Sequence, residues 1–435
     1  MKMKWWQVGS LGIQHVLAMY AGAIVVPLIV GGALHLTSEQ LTYLVAIDLL
    51  TCGIATFLQA WKNKWFGIGL PVMLGCTFTA VGPMIAIGGQ YGMPAVYGAI
   101  LCAGAVVVLI SPYFGKLRTL FPPVVTGSVV TIIGLTLIPA AVNNMAGGQG
   151  AKDFGDPANL ALSFGVLALI ILLYRCFTGF IRSISVLLGM AAGTFAAAMM
   201  GKVDWTPVAE ASWLHWPTLF YFGAPTFHGS AVFTMVLVAI VSLVESTGVY
   251  FALSDICRRR LTDDDLAGGY RAEGLAIIIG GLLNAFPYTT YSQNVGLVQL
   301  SGVKTRNVIY AAAAFLVLLG FVPKIAAVAT IIPAPVLGGA MLAMFGTVIA
   351  YGVKMLSQVD LAMQENLLII ACSVGIGFGV TAVPNLFAEL PAGLRILTDS
   401  GIVAGGLTAI LLNAVFHFGK ARKSAALPLQ EQKIS

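Results

Sequence analysis

Phe286-Pro287-Tyr288-Thr289-Thr290-Tyr291-Ser292-Gln293-Asn294-Val295-Gly296-Leu297-Val298-Gln299-Leu300-Ser301-Gly302 decides the reading of the chain: it lies among long apolar segments, yet it is not itself a plain apolar helix. A proline and a run of hydroxyl side chains predict irregular backbone. Gln293 and Asn294 then present adjacent amides, and Gly296 leaves room for close approach. At membrane depth, non-helical backbone survives only where protein buries it or where it lines a cavity, so the stretch is a candidate binding site between broken helices.

Of the 435 residues, 58% are hydrophobic and 9% charged, against about 25% charged in ordinary soluble domains. This composition predicts an all-α polytopic membrane protein. Apolar segments of about 20 residues recur between short polar links, which leaves one membrane transport domain over 1–435 and no soluble enzyme domain. The six cysteines are scattered, with no metal-ligand spacing, so neither a metal nor a cofactor is expected. The formal charge of +6 needs no nucleic-acid partner, because the basic residues follow topology.

Hydrophobic runs and Gly/Pro breaks give fourteen candidate spans. With the N-terminus inside, 19 of the 23 lysines and arginines fall on the cytoplasmic side, Lys152, Lys202, Lys324 and Arg395 being the others. Both termini are therefore expected in the cytoplasm. The Arg258–Arg260 run and Asp263-Asp264-Asp265 read as solvated loop. A repeat supports the count: Pro123-Val124-Val125-Thr126-Gly127 with Gly134 is echoed by Pro335-Val336-Leu337-Gly338-Gly339 with Gly346, 212 residues on. Pro71 before Thr77-Phe78 is echoed by Pro287 before Gln293-Asn294, 216 residues on. Irregular spans three and ten thus occupy matching places in two seven-span halves. An odd number of spans per half makes the repeat inverted, an arrangement in which transporters bind substrate near the midplane.

Glu245 sits within an apolar span with no cation nearby in sequence, which costs roughly 2.5–3.5 kcal/mol on insertion scales. That cost points to function. Glu273, behind Arg271, reads either as a helix-end cap or as a functional acid. Asp48 and His15 read first as satisfied interhelical hydrogen-bonding groups. A carboxylate accepts only, whereas an amide both donates and accepts in one plane, so Glu245 and Gln293 suit a planar solute carrying N–H beside C=O. An oxidised purine or pyrimidine has that edge, although a sugar or an amino acid could also use an acid and an amide. Phe78, from the matching span, could supply an aromatic wall.

Gln293-Asn294-x-Gly296-x-x-x-x-Ser301-Gly302 resembles the signature of the nucleobase–ascorbate transporters (nucleobase:cation symporter-2), and Gln14-His15 resembles that family's first-span pair. Gly75-Cys76-Thr77-Phe78-Thr79-Ala80 and Leu243-Val244-Glu245-Ser246-Thr247-Gly248 extend the likeness, which is nearest to bacterial xanthine and uric acid permeases. Ser301 stands where the pattern has Thr, and Val295 where many xanthine permeases have a second Asn.

The resemblance implies a core domain at about 8–112 and 231–325, a gate domain at about 113–230 and 326–420, and a cytoplasmic tail at 421–435. It implies elevator-like alternating access in a homodimer within the bacterial cytoplasmic membrane. Glu245 and Gln293 would bind the purine, with Phe78 and Thr77 along its ring. Glu273 would serve proton coupling, His15 and Asn294 would orient the site, Gly296 would belong to the signature, and Thr79 would sit where relatives differ between xanthine and urate. The expectation is a proton-coupled importer of xanthine or uric acid and not an enzyme, with sodium as the other possible coupling ion. A uracil or other nucleobase permease, or an anion transporter of the same fold, is the alternative.

Overall fold

The computed structural model describes residues 4–117, 122–383, 386–391, 395 and 398–417, apart from the side chains of residues 115–117 and of Gln293. The expected tail at 421–435 lies outside the described residues. The first half runs α1 (Trp5–Ala33), α2 (Ser38–Ala60), β1 (Leu74–Cys76), a 3-10 turn (Phe78–Ala80), α3 (Val81–Tyr91) and α4 (Met93–Leu117). It continues through α5 (Pro123–Met145), α6 (Pro157–Cys176), α7 (Gly179–Ser183) and α8 (Ser185–Met199). After α9 (Thr206–Glu210) come α10 (Gly229–Cys257), α11 (Asp263–Leu283), β2 (Tyr288–Thr290) and α12 (Ser292–Ser301). The chain closes with α13 (Arg306–Gly320), α14 (Pro323–Thr330), α15 (Ala334–Leu356), α16 (Gln364–Ala382) and α17 (Gly401–His417).

The protein is thus a helical bundle. Among the described residues nine helices are long and apolar enough to cross a membrane, or ten if α13 and α14, bent by 81°, form one span. Buried between them, β1 and β2 pair antiparallel with Leu74 opposite Thr290, Gly75 opposite Thr289 and Cys76 opposite Tyr288. Thr77 N–H donates to the Pro287 carbonyl (3.0 Å) and Tyr291 N–H to that of Met73 (2.9 Å), which extends the ribbon at each end. Because the strands are antiparallel, α3 and α12 leave the ribbon from opposite ends.

Small residues let the helices approach. A Cβ at Gly104 of α4 would lie 2.9 Å from the Gly274 carbonyl of α11, and one at Gly274 would lie 3.0 Å from the Gly104 carbonyl. α2 and α13 cross in the same way, Gly53 against the Ala313 carbonyl and Gly320 against the Leu50 backbone. α5 and α15 do likewise, Gly134 and Gly352 lying on the backbones of Ile349 and Thr131. With no hydrophobic drive between helices in lipid, such close contact carries much of the association.

Two loop readings need correction. Asp263–Asp265 is the first turn of α11, where carboxylates complement the helix N-terminus, and Thr262 caps it reciprocally with Asp265. Asp265 is buried and pairs with Lys62 and with Arg259, the latter at 3.0 Å. Arg259 also donates to the carbonyls of Ile68 (3.1 Å) and Gly69 (3.0 Å), so the arginine run ties the α10–α11 link to the segment before β1.

Gly104→Leu should therefore force α4 and α11 apart and cost about 1–3 kcal/mol by overpacking. Gly165→Leu, at a position with nothing within 4 Å of an added Cβ, should change stability by less than about 0.5 kcal/mol. Thermal unfolding of both variants in detergent tests the contrast, and equal midpoints would refute the backbone-contact account.

Candidate functional site

The ribbon positions the site. Gly75 has no side chain, and a Cβ there would lie 2.3 Å from the Tyr291 ring, while one at Gly22 of α1 would lie 2.6 Å from the Tyr291 hydroxyl. Tyr291 is therefore wedged between α1 and β1, just before α12 begins. On the opposite end, Thr77 Oγ1 accepts from Thr79 N–H (3.3 Å) and caps the 3-10 turn.

Between the ribbon and α15 lies a cavity of about 40 Å³, room for no more than a few waters. Phe78, Thr79, Glu245 and Ser292 line one side, and Thr347 and Tyr351 of α15 line the other. It adjoins a cleft of about 680 Å³ that shares Tyr291, Ser292, Thr347 and Tyr351 and runs out past Gly296 to Arg182 and Lys354. Phe78 touches α15 as well, edge-on against Phe345 at 5.6 Å between ring centroids.

The structure thus brings Glu245, Phe78 and Thr79 together. Thr77 is buried beside them, with its hydroxyl 3.4 Å from that of Ser242, but it does not line the cavity. Gln293 begins the second position of α12, and its side chain lies outside the described residues. Gly296 is exposed on the larger cleft and packs against nothing that a Cβ would meet.

Glu245 is half-buried and has no hydrogen-bond or ion-pair partner among the described residues. Its four hydrogen-bond acceptor positions are therefore available to a ligand's donors. Glu273 differs. It lies fully buried within α11, where Ser246 Oγ donates to Oε2 at 3.0 Å and the Tyr250 hydroxyl donates to Oε1. It is not a helix-end cap on Arg271, which instead donates to the Trp65 carbonyl at 2.9 Å.

His15 and Asn294 form a buried pair behind α12. Asn294 Nδ2 donates to the His15 carbonyl (3.2 Å) and lies 3.0 Å from His15 Nδ1. Asp48 of α2 accepts from the Tyr288 hydroxyl at 2.9 Å, so it is satisfied as the sequence suggested, but by strand β2 and not by another helix. Among the described residues no group of three or more His, Cys, Asp or Glu side chains could hold a metal.

Sequence reasoning missed Ser246, Tyr250, Thr289 and Thr290. The Ser246 hydroxyl lies 3.0 Å from that of Thr289 and accepts from Thr290 N–H (3.3 Å), so α10 grips β2 directly. A signal was present in Ser242, Ser246 and Tyr250, which recur at i, i+4 and i+8 on one face of α10. Thr347 and Tyr351 on α15 stand four apart on one face in the same way.

Comparison with known proteins places this geometry. The family model described as "Permease family" (Xan_ur_permease) matches residues 7–386. The xanthine permease of Bacillus subtilis (strain 168) is 64% identical over 428 residues, covering 98% of each chain. The uric acid permease PucK of the same organism is 65% identical over 411 residues, covering 94% of this chain and 96% of that one. Among solved structures, the transmembrane domain of a cyanobacterium bicarbonate transporter, BicA, superposes with a TM-score of 0.62 at 15% identity, over 91% of this chain and 96% of that one, a likeness of fold alone. The chain belongs to this permease family, the nucleobase–ascorbate transporters.

Proposed function

We propose that this permease imports an oxidised purine, xanthine or uric acid, in symport with a proton across the bacterial cytoplasmic membrane. The observation that carries the reading is Glu245, an unpaired acceptor on a cavity walled by Phe78, in a chain whose close relatives are named for these two purines. The BicA likeness shows that the fold does not fix the cargo. An acceptor-only carboxylate pairs with ligand donors, and a purine carries several ring N–H groups where a small inorganic anion carries few or none, which disfavours that alternative here.

Fourteen spans follow if the ten are joined by the shorter apolar helices α8 and α17 and by the two strand-led helices, β1 with α3 and β2 with α12. The repeat pairs span two with nine and four with eleven, so the α2–α13 and α4–α11 crossings become equivalent. Both are built on close-packed glycines, which supports two inverted halves. The core would then hold the ribbon, α10 and α11, and the gate α5 and α15. Elevator-like movement of one against the other, in a homodimer with cytoplasmic termini, would open the cavity along the 680 Å³ cleft. Arg182 and Lys354 at its far end mark the cytoplasmic side by the positive-inside rule.

In this reading Glu245 binds a ring N–H, Gln293 pairs with the purine amide edge, and Phe78 lies along the ring with Thr79 beside it. Asn294 and His15 hold the start of α12. Glu273 carries the coupling proton, with sodium the alternative coupling ion. A proton can drive transport if the two orientations of the site solvate that carboxylate differently.

Uptake of labelled xanthine or urate into cells lacking their own permeases should be saturable and indifferent to excess uracil. Strong competition by uracil with no purine uptake would overturn the substrate assignment. Glu245→Gln keeps the shape and removes the charge, so accumulation should be abolished at normal membrane expression; wild-type accumulation would make the carboxylate structural. For Gln293, the expected order of apparent affinity is wild type, then Gln293→Asn, then Gln293→Glu. Replacing the amide donor by an acceptor leaves one buried partner unpaired, about 1–3 kcal/mol or roughly tenfold to a hundredfold. Equal half-saturation in all three would remove Gln293 from contact with the purine.

A further inference from the structure

The two oxygens of Glu273 end two hydrogen-bond chains of different capacity. On one side, Ser246 Oγ donates to Oε2, while its own oxygen accepts Thr290 N–H at 3.3 Å and the Thr290 hydroxyl at 3.2 Å. The Thr289 hydroxyl also lies 3.0 Å away, so Ser246 meets three groups of β2 besides Glu273, and taking the Glu273 proton would mean giving up one of the two donors it holds. On the other side, the Tyr250 hydroxyl donates to Oε1 and accepts from Gln59 Nε2 of α2. That chain ends in spare capacity. Gln59 is fully buried, and its Oε1 has no partner among the described residues.

All donors in this arrangement point toward an ionised Glu273. A proton on Glu273 has to be donated to something, and with Ser246 so engaged the acceptor is the Tyr250 oxygen. The Tyr250 hydrogen must then turn to a new acceptor, and leaving it buried and unpaired would be costly. We infer that Gln59, Tyr250 and Glu273 form a reversible relay, in which rotation of the Gln59 amide presents its unpartnered oxygen to Tyr250 whenever Glu273 holds a proton. The proton on Glu273 Oε1 is the only atom gained. Tyr250 keeps its own hydrogen and only redirects it, from the carboxylate to Gln59 Oε1. Neither Tyr250 nor Gln59 lines the cavity, so both are positioning residues.

The other groups facing Glu273 do not supply this switch. Glu245 on α10 is near enough to repel it electrostatically but forms no bond to it. Tyr270 of α11 is paired with the Thr247 hydroxyl at 2.6 Å, and Asp48 of α2 with Tyr288 of β2. α4 meets α11 at this level through Gly104 and Val108, and its Tyr97 stacks on Phe222. Arg271 turns to the Trp65 carbonyl.

The inference rests on the reading of Glu273 as the coupling carboxylate, and the test separates the two. Full-length protein in liposomes is assayed for xanthine accumulation driven by a pH gradient, and for the pH at which uptake falls to half. Counterflow without a gradient verifies folding. Gln59→Leu removes the acceptor that serves the protonated state, so the half-point should move down by about one pH unit. Gln59→Met replaces it if the leucine variant shows no counterflow. Tyr250→Phe removes the donor to the ionised carboxylate and the acceptor of its proton together and disconnects Gln59 from Glu273, so adding Gln59→Leu to Tyr250→Phe should move the half-point no further. Glu273→Gln should lose gradient-driven accumulation. A downward shift for Gln59→Leu that vanishes in the Tyr250→Phe background supports the relay, since a merely structural defect would not depend on Tyr250. No downward shift, or the same shift in both backgrounds, alongside an uncoupled Glu273→Gln would overturn the relay alone. Gradient-driven accumulation by Glu273→Gln would overturn the coupling role, and the relay with it.

Discussion

An extended segment buried in an apolar bundle persists only if something takes its N–H and C=O groups, and here two such segments take one another's. Each is too short to be stable alone, and they lie about half the chain apart in sequence. The pairing therefore joins the two halves at the one level where both leave the helix. Two parts of the candidate site are placed from this ribbon: the turn that carries Phe78 and Thr79 starts at one end, and α12 starts at the other. The Tyr291 wedge shows how little tolerance exists, since two glycines from different elements make its space.

Two glutamates in adjoining helices acquire different characters from their neighbours. Glu273 is surrounded by hydroxyls that donate to it, and those hydroxyls belong to α10, which also grips β2. Glu245, one residue before Ser246, points to a different face of α10 and finds no such donors among the described residues. A helix turns by about 100° per residue, so adjacent positions serve different surroundings. One face of α10 thus builds the ribbon's support and the next supplies the cavity.

The membrane class, the helical bundle and the two irregular stretches were legible because they depend on composition and on backbone chemistry, both local. Glu245 was legible because an unpaired acid in an apolar run has few bland explanations. The partners of Glu273 were not, since Ser246 and Tyr250 reach it from α10, with Gln59 of α2 behind Tyr250, and only tertiary packing brings the three helices together. Nearness to Arg271 in sequence suggested a cap, yet two residues along a helix point to different sides. Which threonine faces the cavity was not legible for a related reason: Thr77 caps the 3-10 turn from outside it, and Thr79 within the turn lines the cavity. The acidic run that opens α11 looked solvated because Asp265 alone is buried there and one of its two partners, Lys62, comes from a distant link.

The distribution of bonds around the ribbon also bears on motion. Its directional contacts run to α2 and α10, through Tyr288, Thr289 and Thr290, and α12 adds one to α1, from Asn294 to His15. α15 meets it differently, with Phe345 edge-on to Phe78. Breaking a buried hydrogen bond costs about 1–3 kcal/mol for each group left unpaired, whereas an aromatic edge contact contributes about 0.5–1.5 kcal/mol and leaves no polar group behind. A cavity of about 40 Å³ cannot hold a bicyclic purine, so the walls must separate to admit one. In the proposed elevator-like movement, separation along the α15 side would part an aromatic contact and leave the ribbon with its hydrogen-bonded supports. The polar groups proposed to recognise the substrate would then keep their mutual geometry through the opening, which is the condition for carrying one site between two sides of a membrane.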